Sequence, residues 1–423
     1  MAEDTFLDDN FLRQLMSVGE VDLLVGVPSY NNAATIGQTV SAIEESLQQN
    51  FIRDRVAILN VDGGSTDNTC DVLLQSNGTR AGTTHRGLTS LRTIRKVSSQ
   101  YANSPSQGMA LRAILTAADL LRASSCAIVS AATTNLTPSW IASLLRPHRE
   151  RFDFVAPIYA RERFQGLLAR ELLYPMSRAI FGLRLRELYA DEWGFSGRLA
   201  SQCLEQSVWQ EEAVRARPEA WMGLTAICSG YKCCQVFLGP KLAGAPATSP
   251  DIVEAVRQTV GNLFWCVEQN QEHWLDRTGS QQVPTFGPEQ ELTIEGPAPN
   301  PGKSVELFRS GVKDLAPILG SILAEQTHSE VTDLAAMDSA ELHFADELWV
   351  RVLYEFAASY HHSVLNRDHI AQALVPLYRG RLYSFLWEHA ESTPEEMEKE
   401  SETLCLEFER QKPYLIERWK AKR

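Results

Sequence analysis

"VDLLVGVPSYNNAATIGQTVSAIEESLQQ", residues 21–49, carries the reading of the fold. Residues 21–29 are a short, continuous apolar run ending in Pro28 and Ser29. Such a run, without alternation, fits a strand covered on both faces, as in a parallel sheet. Behind it, Ile36, Val40, Ile43 and Leu47 recur at spacings of four, three and four, which places them on one helix face. The same alternation repeats downstream. "VAILNVDGG" (56–64) reads as a second strand, and "STDNTCDVLLQS" (65–76) opens with capping residues and continues as a helix. "LTSLRTIRKVS" (88–98) gives a third strand, "QGMALRAILTAADLLRAS" (107–124) an amphipathic helix and "CAIVSA" (126–131) a fourth strand. Strand–helix alternation over 20–150 predicts an α/β domain with a doubly wound, mostly parallel sheet. Ligands then sit beyond the carboxyl ends of the strands, where Asp62 and Ser130 fall.

At 423 residues the chain exceeds one ordinary core, so more than one domain is expected. We divide it into an N-terminal segment (1–20), an α/β domain (21–277), a Pro/Gly-rich linker or loop (278–304) and a helical C-terminal region (305–423). A net charge of -13 argues against a general nucleic-acid binder, which needs a basic face. The eight cysteines lack paired CxxC spacing and read as buried free thiols of a reducing compartment. No apolar stretch reaches membrane-spanning length, and "MAEDTFLDDNFLRQL" lacks the form of a signal peptide, so a cytoplasmic location is expected.

Two motifs carry chemistry. "VPSYNNAATI" (27–36) is followed, about one strand–helix unit later, by "VDGGSTDNT" (61–69). An acidic residue at a strand end can accept hydrogen bonds from a base or ribose, and paired glycines admit a ligand close to backbone. The same D-G-G-S also reads as an ordinary turn with a helix N-cap. Together the two motifs resemble the nucleotide-sugar half of GT-A glycosyltransferases of the family-2 type. Pro28, Tyr30 and Asn31 match the first family motif; Asp62, Gly63, Gly64, Ser65 and Asp67 match the second. The segments at 193–209 and 220–241 and the tail at 347–388 resemble the enzymes that make glucosylglycerate, mannosylglycerate or their phosphorylated forms. The resemblance implies a GT-A fold with a helical extension. It implies a nucleoside diphosphate sugar donor, a small acidic acceptor such as glycerate, and Mg2+ or Mn2+ as the family's usual cofactor. It places Pro28 to Asn31, Asp62, Gly63, Gln107, Ser130 and Ala132 on the nucleotide-sugar side, and gives Glu192 and Glu219 the catalytic part of holding or activating the acceptor.

Departures from the family pattern accompany the match. Thr137, Pro138 and Trp140 fix the register of the fourth strand, and the family's two metal-binding aspartates then fall on Ser130 and Ala132. Paired carboxylates one residue apart on an extended segment project to the same side and chelate a cation; Ser and Ala do not. Ala243 stands where the family has a metal-binding His, and Gln107 where it has a phosphate-facing Lys. No metal is therefore expected at these positions. Two readings remain open: an active hexosyltransferase working with little or no metal, and a degenerate relative that binds nucleotide sugar or a protein partner in a regulatory role. A purely structural helical protein is the weakest reading, since it leaves the motifs without purpose. Homo-oligomerisation is left open.

Further cations read mainly as solvated surface charge: Arg161, Arg163, Arg178, Arg184 and Arg186. "LVPLYRGRL" (374–382) reads as a basic loop with Tyr378, Arg379 and Arg381, open to a phosphate or carboxylate. His361, His362 and His369 read as packing or capping residues, and the aromatics at 349, 354, 360, 383 and 387 as helix core.

Overall fold

The computed structural model describes residues 9–75, 94–100, 106–242, 252–288, 293–294 and 302–421. The chain forms two compact units. The first holds residues 1–159, 188–249 and 284–290; the second holds 160–187, 250–283 and 291–423. The path is interleaved beside the divisions read at 20, 277 and 304: the chain enters the second unit after residue 159, again after 249 and again after 290. The stretch read as a linker is also partly structured, because its extended residues pair with strand edges. Among its described residues, Thr285–Phe286 and Thr293–Ile294 are short strands.

The sheet is built from β1 (Leu23–Ser29), β2 (Val56–Asp62), β3 (Arg95–Gln100), β4 (Ser125–Ile128), β5 (Phe154–Glu162), β6 (Trp193–Ser196), β7 (Cys233–Pro240) and β8 (Thr285–Phe286). Their spatial order is β3-β2-β1-β4-β6-β5-β7-β8. The β1–β2, β2–β3 and β1–β4 pairs are parallel, while β6 runs antiparallel to β4 and β5. This is the expected α/β class with a mostly parallel sheet. The strand order reverses between β1 and β4, and that switch point opens a crevice at their carboxyl ends.

Helix phase follows the sequence pattern. Ile36, Val40, Ile43 and Leu47 are all buried and pack into the core with Val25, Val27 and Ile58. Burying each such side chain contributes about 1.5–3 kcal/mol. Trp140, in the Pro138–Leu145 helix, meets Tyr159 at a ring distance of 5.6 Å. Gly108 lets the Gln107–Leu120 helix start against another helix. A Cβ there would lie 2.6 Å from both Arg215 Cα and Val214 O.

The second unit is predominantly helical. Its C-terminal region contains the long helices Asp346–His361, Arg367–Glu388 and Pro394–Lys420. Thr393 and Glu396 close a capping box at the start of the last. Trp349 and Tyr354 are fully buried, but Trp387 is 56% exposed and is not core. "LVPLYRGRL" lies inside the Arg367–Glu388 helix rather than in a loop. Pro376 is accommodated there without ending the helix, and Arg381 is buried against Glu171 and Asp346 at 2.8 and 2.6 Å. Arg178, read as surface charge, is fully buried and paired with Glu402 and Glu409. Arg161 and Arg186 pair with Glu187 and Glu398, while Arg163 donates to the carbonyls of Ser392 and Ala390. His361 stacks on Trp419 at 4.1 Å, and His362 contacts the Arg418 carbonyl. All eight cysteines are free thiols. No helix among the described residues is long and apolar enough to cross a membrane.

Candidate functional site

The loop after β1 is shaped by the loop after β2. Asn31 adopts a left-handed backbone (φ 54), which Asn tolerates better than most residues. Its N–H donates to Ser65 Oγ at 2.7 Å, and its Oδ1 accepts from the Thr66 N–H at 2.9 Å. The N–H groups of Asn32 and Ala33 donate to Thr69 Oγ1 and Asp67 Oδ2. The "STDNT" cluster thus fastens the neighbouring loop through its side chains.

Asp62 is central to that arrangement. It is fully buried, and its Oδ2 accepts the N–H groups of Gly64 and Ser65 at 3.0 and 2.7 Å. Its Oδ1 accepts the hydroxyls of Ser29 and Ser65 at 2.9 and 2.6 Å. The Gly63 N–H donates to the Ser29 carbonyl. Asp62 and Gly63 therefore brace the loop from beneath. Val61 is the β2 residue on the cavity wall.

A cavity of about 780 Å³ occupies the switch-point crevice. Pro28, Tyr30 and Asn31 line it from β1, Gln107 from the following helix, and Ser130 and Ala132 from the end of β4. Of the positions singled out in the sequence, these six and Glu219 share one cavity. Asp62, Gly63 and Glu192 do not line it.

The far wall carries the ionisable groups. Glu219 sits in the first turn of the Pro218–Cys228 helix and is only 4% exposed. Burial pushes its carboxyl up to about 7; Arg217, at 3.4 Å, opposes that rise and the charge of Asp191 adds to it. Asp191 is half-exposed and receives Lys241 Nζ at 2.6 Å. Glu192 is fully buried: Thr133 Oγ1 donates to its Oε1 at 2.5 Å, and Lys241 Nζ (2.8 Å) and the Tyr159 hydroxyl donate to its Oε2. Burial works against the charge on Lys241, and the two carboxylates more than offset it, so its pKa is raised.

Asp191 and Trp193 are wall residues that the sequence reading passed over. The signal was available: adjacent side chains on an extended segment point to opposite sides, so only one acid of "ADEW" can face the cavity. It is Asp191, and Glu192 turns inward to Lys241.

The residues at the end of β4 do not fit a divalent cation. Ala132 offers no side-chain donor atom, and Ser130 Oγ accepts the Ala132 N–H at 3.2 Å. Ala243 lies outside the described residues. Among the described residues, no group of three or more His, Cys, Asp or Glu side chains could hold a metal.

No protein-family model and no curated protein matches the chain. Among solved structures, glucosyl-3-phosphoglycerate synthase from Mycobacterium tuberculosis in complex with phosphoglyceric acid gives a TM-score of 0.43 at 18% identity. That match covers 62% of this chain and 84% of that chain. The same enzyme with Mn2+, uridine-diphosphate and glucosyl-3-phosphoglycerate gives the same values. A structure described as a mycobacterial protein gives 0.44 at 17% identity, over 62% of this chain and 78% of that chain. At such scores these likenesses carry no assignment of activity.

Proposed function

We propose that the chain is a GT-A-like glycosyltransferase whose switch-point cavity holds a nucleoside diphosphate sugar and whose transferred unit is glucose or mannose. One observation supports this above others. The segment 28–31 and the β4 end at Ser130 and Ala132, chosen from sequence motifs far apart in the chain, line a single cavity. That cavity lies where open α/β sheets take their ligands and has the volume of a small-molecule site. In this reading Pro28, Tyr30 and Asn31 lie along the nucleoside, and Asp62 acts through the loop it braces. Glu219 is the general base. A carboxyl with a pKa of about 7 is substantially ionised at neutral pH and still basic enough to take a proton. The acceptor hydroxyl oxygen bonds to the anomeric carbon, its proton passes to Glu219, and the nucleoside diphosphate leaves with the bonding pair. No step runs through a metal, since the residues at 130 and 132 do not fit one.

A second reading, a nucleotide-sugar binder without turnover, is favoured by the charge of the wall. Among the described lining residues there is no Lys or Arg to offset a diphosphate leaving group. Calorimetry with UDP-glucose and GDP-mannose, with and without magnesium or manganese, followed by product assays with glycerate, 3-phosphoglycerate and glycerol, tests both. Product refutes the silent reading. Binding that ignores metal and gives no product with any acceptor refutes transfer. Failure of both sugar nucleotides to bind refutes the two together. A cytoplasmic setting belongs to the same proposal.

A further inference from the structure

We infer that the amino-terminal end of the sheet in the first unit docks on an anionic lipid bilayer. This end lies opposite the crevice, so docking there does not depend on what the crevice binds. The parallel strands β1, β2 and β4 begin there, and hydrogen bonds tie the surrounding loops into one surface. The Asp22 N–H donates to the Arg55 carbonyl, the Ser124 N–H to the Asp22 carbonyl and the Gly197 N–H to the Ser124 carbonyl. The Ser196 N–H donates to the Asp153 carbonyl, and the Asp153 N–H to the Lys232 carbonyl. Side chains close the remaining gap: Arg149 pairs with Asp54 at 2.7 Å, and Arg146 donates to Asn50 Oδ1.

The segments 19–22, 50–55, 119–124, 146–153, 197–198 and 229–232 that form this surface carry eight Lys and Arg against six Asp and Glu, in a chain whose net charge is -13. Depth separates the two signs further. All eight cations are exposed, but only three of the acids are, Glu20, Asp119 and Glu150. In every ion pair of this end the arginine is more exposed than its acid; Arg198, at 68%, covers Asp153, at 4%. In the second unit Arg178, Arg186, Arg257 and Arg351 are instead less exposed than their acids, so the length of arginine alone does not set this order. Arg53, Arg146, Arg151 and Lys232 make no ion pair among the described residues. Two aliphatic side chains, Ile52 (71% exposed) and Leu120, stand out on the same segments. The helices ending at Asn50, Leu120 and Leu145 bring carbonyl ends that attract cations, but they give no reason for exposed Ile and Leu. A bilayer accounts for both features. Headgroup phosphates meet the guanidinium groups, and the aliphatic side chains enter the boundary between headgroups and acyl chains. A nucleic-acid backbone has no such apolar layer. Because charge is felt only within about 10 Å at ordinary salt, acids elsewhere on the chain oppose the contact weakly. Docking in this way leaves the crevice, at the carboxyl ends of β1 and β4, facing water.

Co-sedimentation of the full chain with phosphatidylcholine vesicles, with and without phosphatidylserine, at low and physiological salt, tests this. Duplex DNA at equal phosphate concentration serves as competitor. The expected result is retention on the phosphatidylserine vesicles alone, weaker at the higher salt and not displaced by DNA. Arg53→Glu with Arg151→Glu should lower vesicle affinity by at least about tenfold, and Ile52→Ser should lower it while keeping the salt dependence. Lys313→Glu with Lys399→Glu makes the same change of net charge on exposed residues of the second unit and should leave binding unaltered. Urea unfolding midpoints check that each variant is folded; if Arg151→Glu is not, Arg53→Glu with Lys232→Glu carries the same expectation. No retention on phosphatidylserine vesicles, or equal retention on phosphatidylcholine alone, would overturn the inference. So would displacement by DNA, binding indifferent to the arginine pair or to Ile52→Ser, or an equal loss from the lysine pair.

Discussion

Replacing Glu219 with Gln tests both the electrostatics of the wall and the proposed base. The Glu219 carboxyl is 4% exposed, and burial raises its pKa from 4.5 to about 7. The difference is about 2.5 units, which at about 1.36 kcal/mol per unit amounts to about 3 kcal/mol. The sign follows from proton binding. Between pH 4.5 and 7 the folded chain keeps a proton that the unfolded chain has released, so folding stability declines as pH rises through that window. Below pH 4.5 both states are protonated and there is no penalty; above about pH 7 the penalty is complete. The amide of the variant is neutral throughout. Relative to its own offset near pH 4, Glu219→Gln should therefore gain on the natural chain progressively, by up to about 3 kcal/mol at pH 8.5. Urea unfolding followed by tryptophan fluorescence, at fixed ionic strength between pH 4 and 8.5, measures this gain. A difference that stays constant across the range, or that shrinks as pH rises, refutes the claim that burial governs this carboxyl. In a transfer assay the natural chain should show kcat/KM rising through about pH 7, and Glu219→Gln should be flat and lower by about 10²–10⁴-fold.

Other sites yield sharp expectations. Arg381→Met removes the guanidinium beside Glu171, which is 1% exposed, and should cost about 3–5 kcal/mol in urea unfolding, with partial recovery on adding Glu171→Gln. Asp62→Asn puts an amide donor against the Gly64 and Ser65 N–H groups; it should cost about 1–3 kcal/mol and weaken UDP-glucose binding in calorimetry by loosening the 30–33 loop. Gly108→Ala drives a Cβ into the backbone of Val214 and Arg215 and should cost about 1–3 kcal/mol while raising the donor KM through Gln107. The triple variant Ser130→Asp, Ala132→Asp, Ala243→His should acquire manganese-dependent donor binding; calorimetry showing no metal effect would refute the register assigned to the fourth strand.

The parts of the fold that were legible are those set by nearest neighbours along the chain. β1 and β2 announce themselves as unbroken apolar runs because both faces of the sheet are covered, and Ile36, Val40, Ile43 and Leu47 share a face because helix geometry alone puts them there. Thr137 and Pro138 mark a helix start for equally local reasons. Charged side chains are different, since their meaning depends on partners that sequence distance conceals. Arg178 reads as surface charge until Glu402 and Glu409 arrive from more than two hundred residues away, and Arg381 is in the same position with respect to Glu171. The interleaved units have the same origin, because only long-range packing assigns 160–187 and 250–283 to the helical unit.

The acids of the candidate site show how the distinction works. Asp62 ends a strand beside two backbone N–H groups and two hydroxyls, so its four short hydrogen bonds fill its lone pairs and leave little acceptor capacity for a ligand. Glu192 is filled in the same way by Thr133, Tyr159 and Lys241. Asp191 keeps half of its side chain exposed, and Glu219, buried on the cavity wall, is left with a raised pKa. The two motif-like acids thus hold the scaffold, while Asp191 and Glu219 are the acids that line the cavity wall. The same criterion explains why a D-G-G-S motif can shape the crevice without lining it: the amides that make it a good turn are the ones that consume its carboxylate.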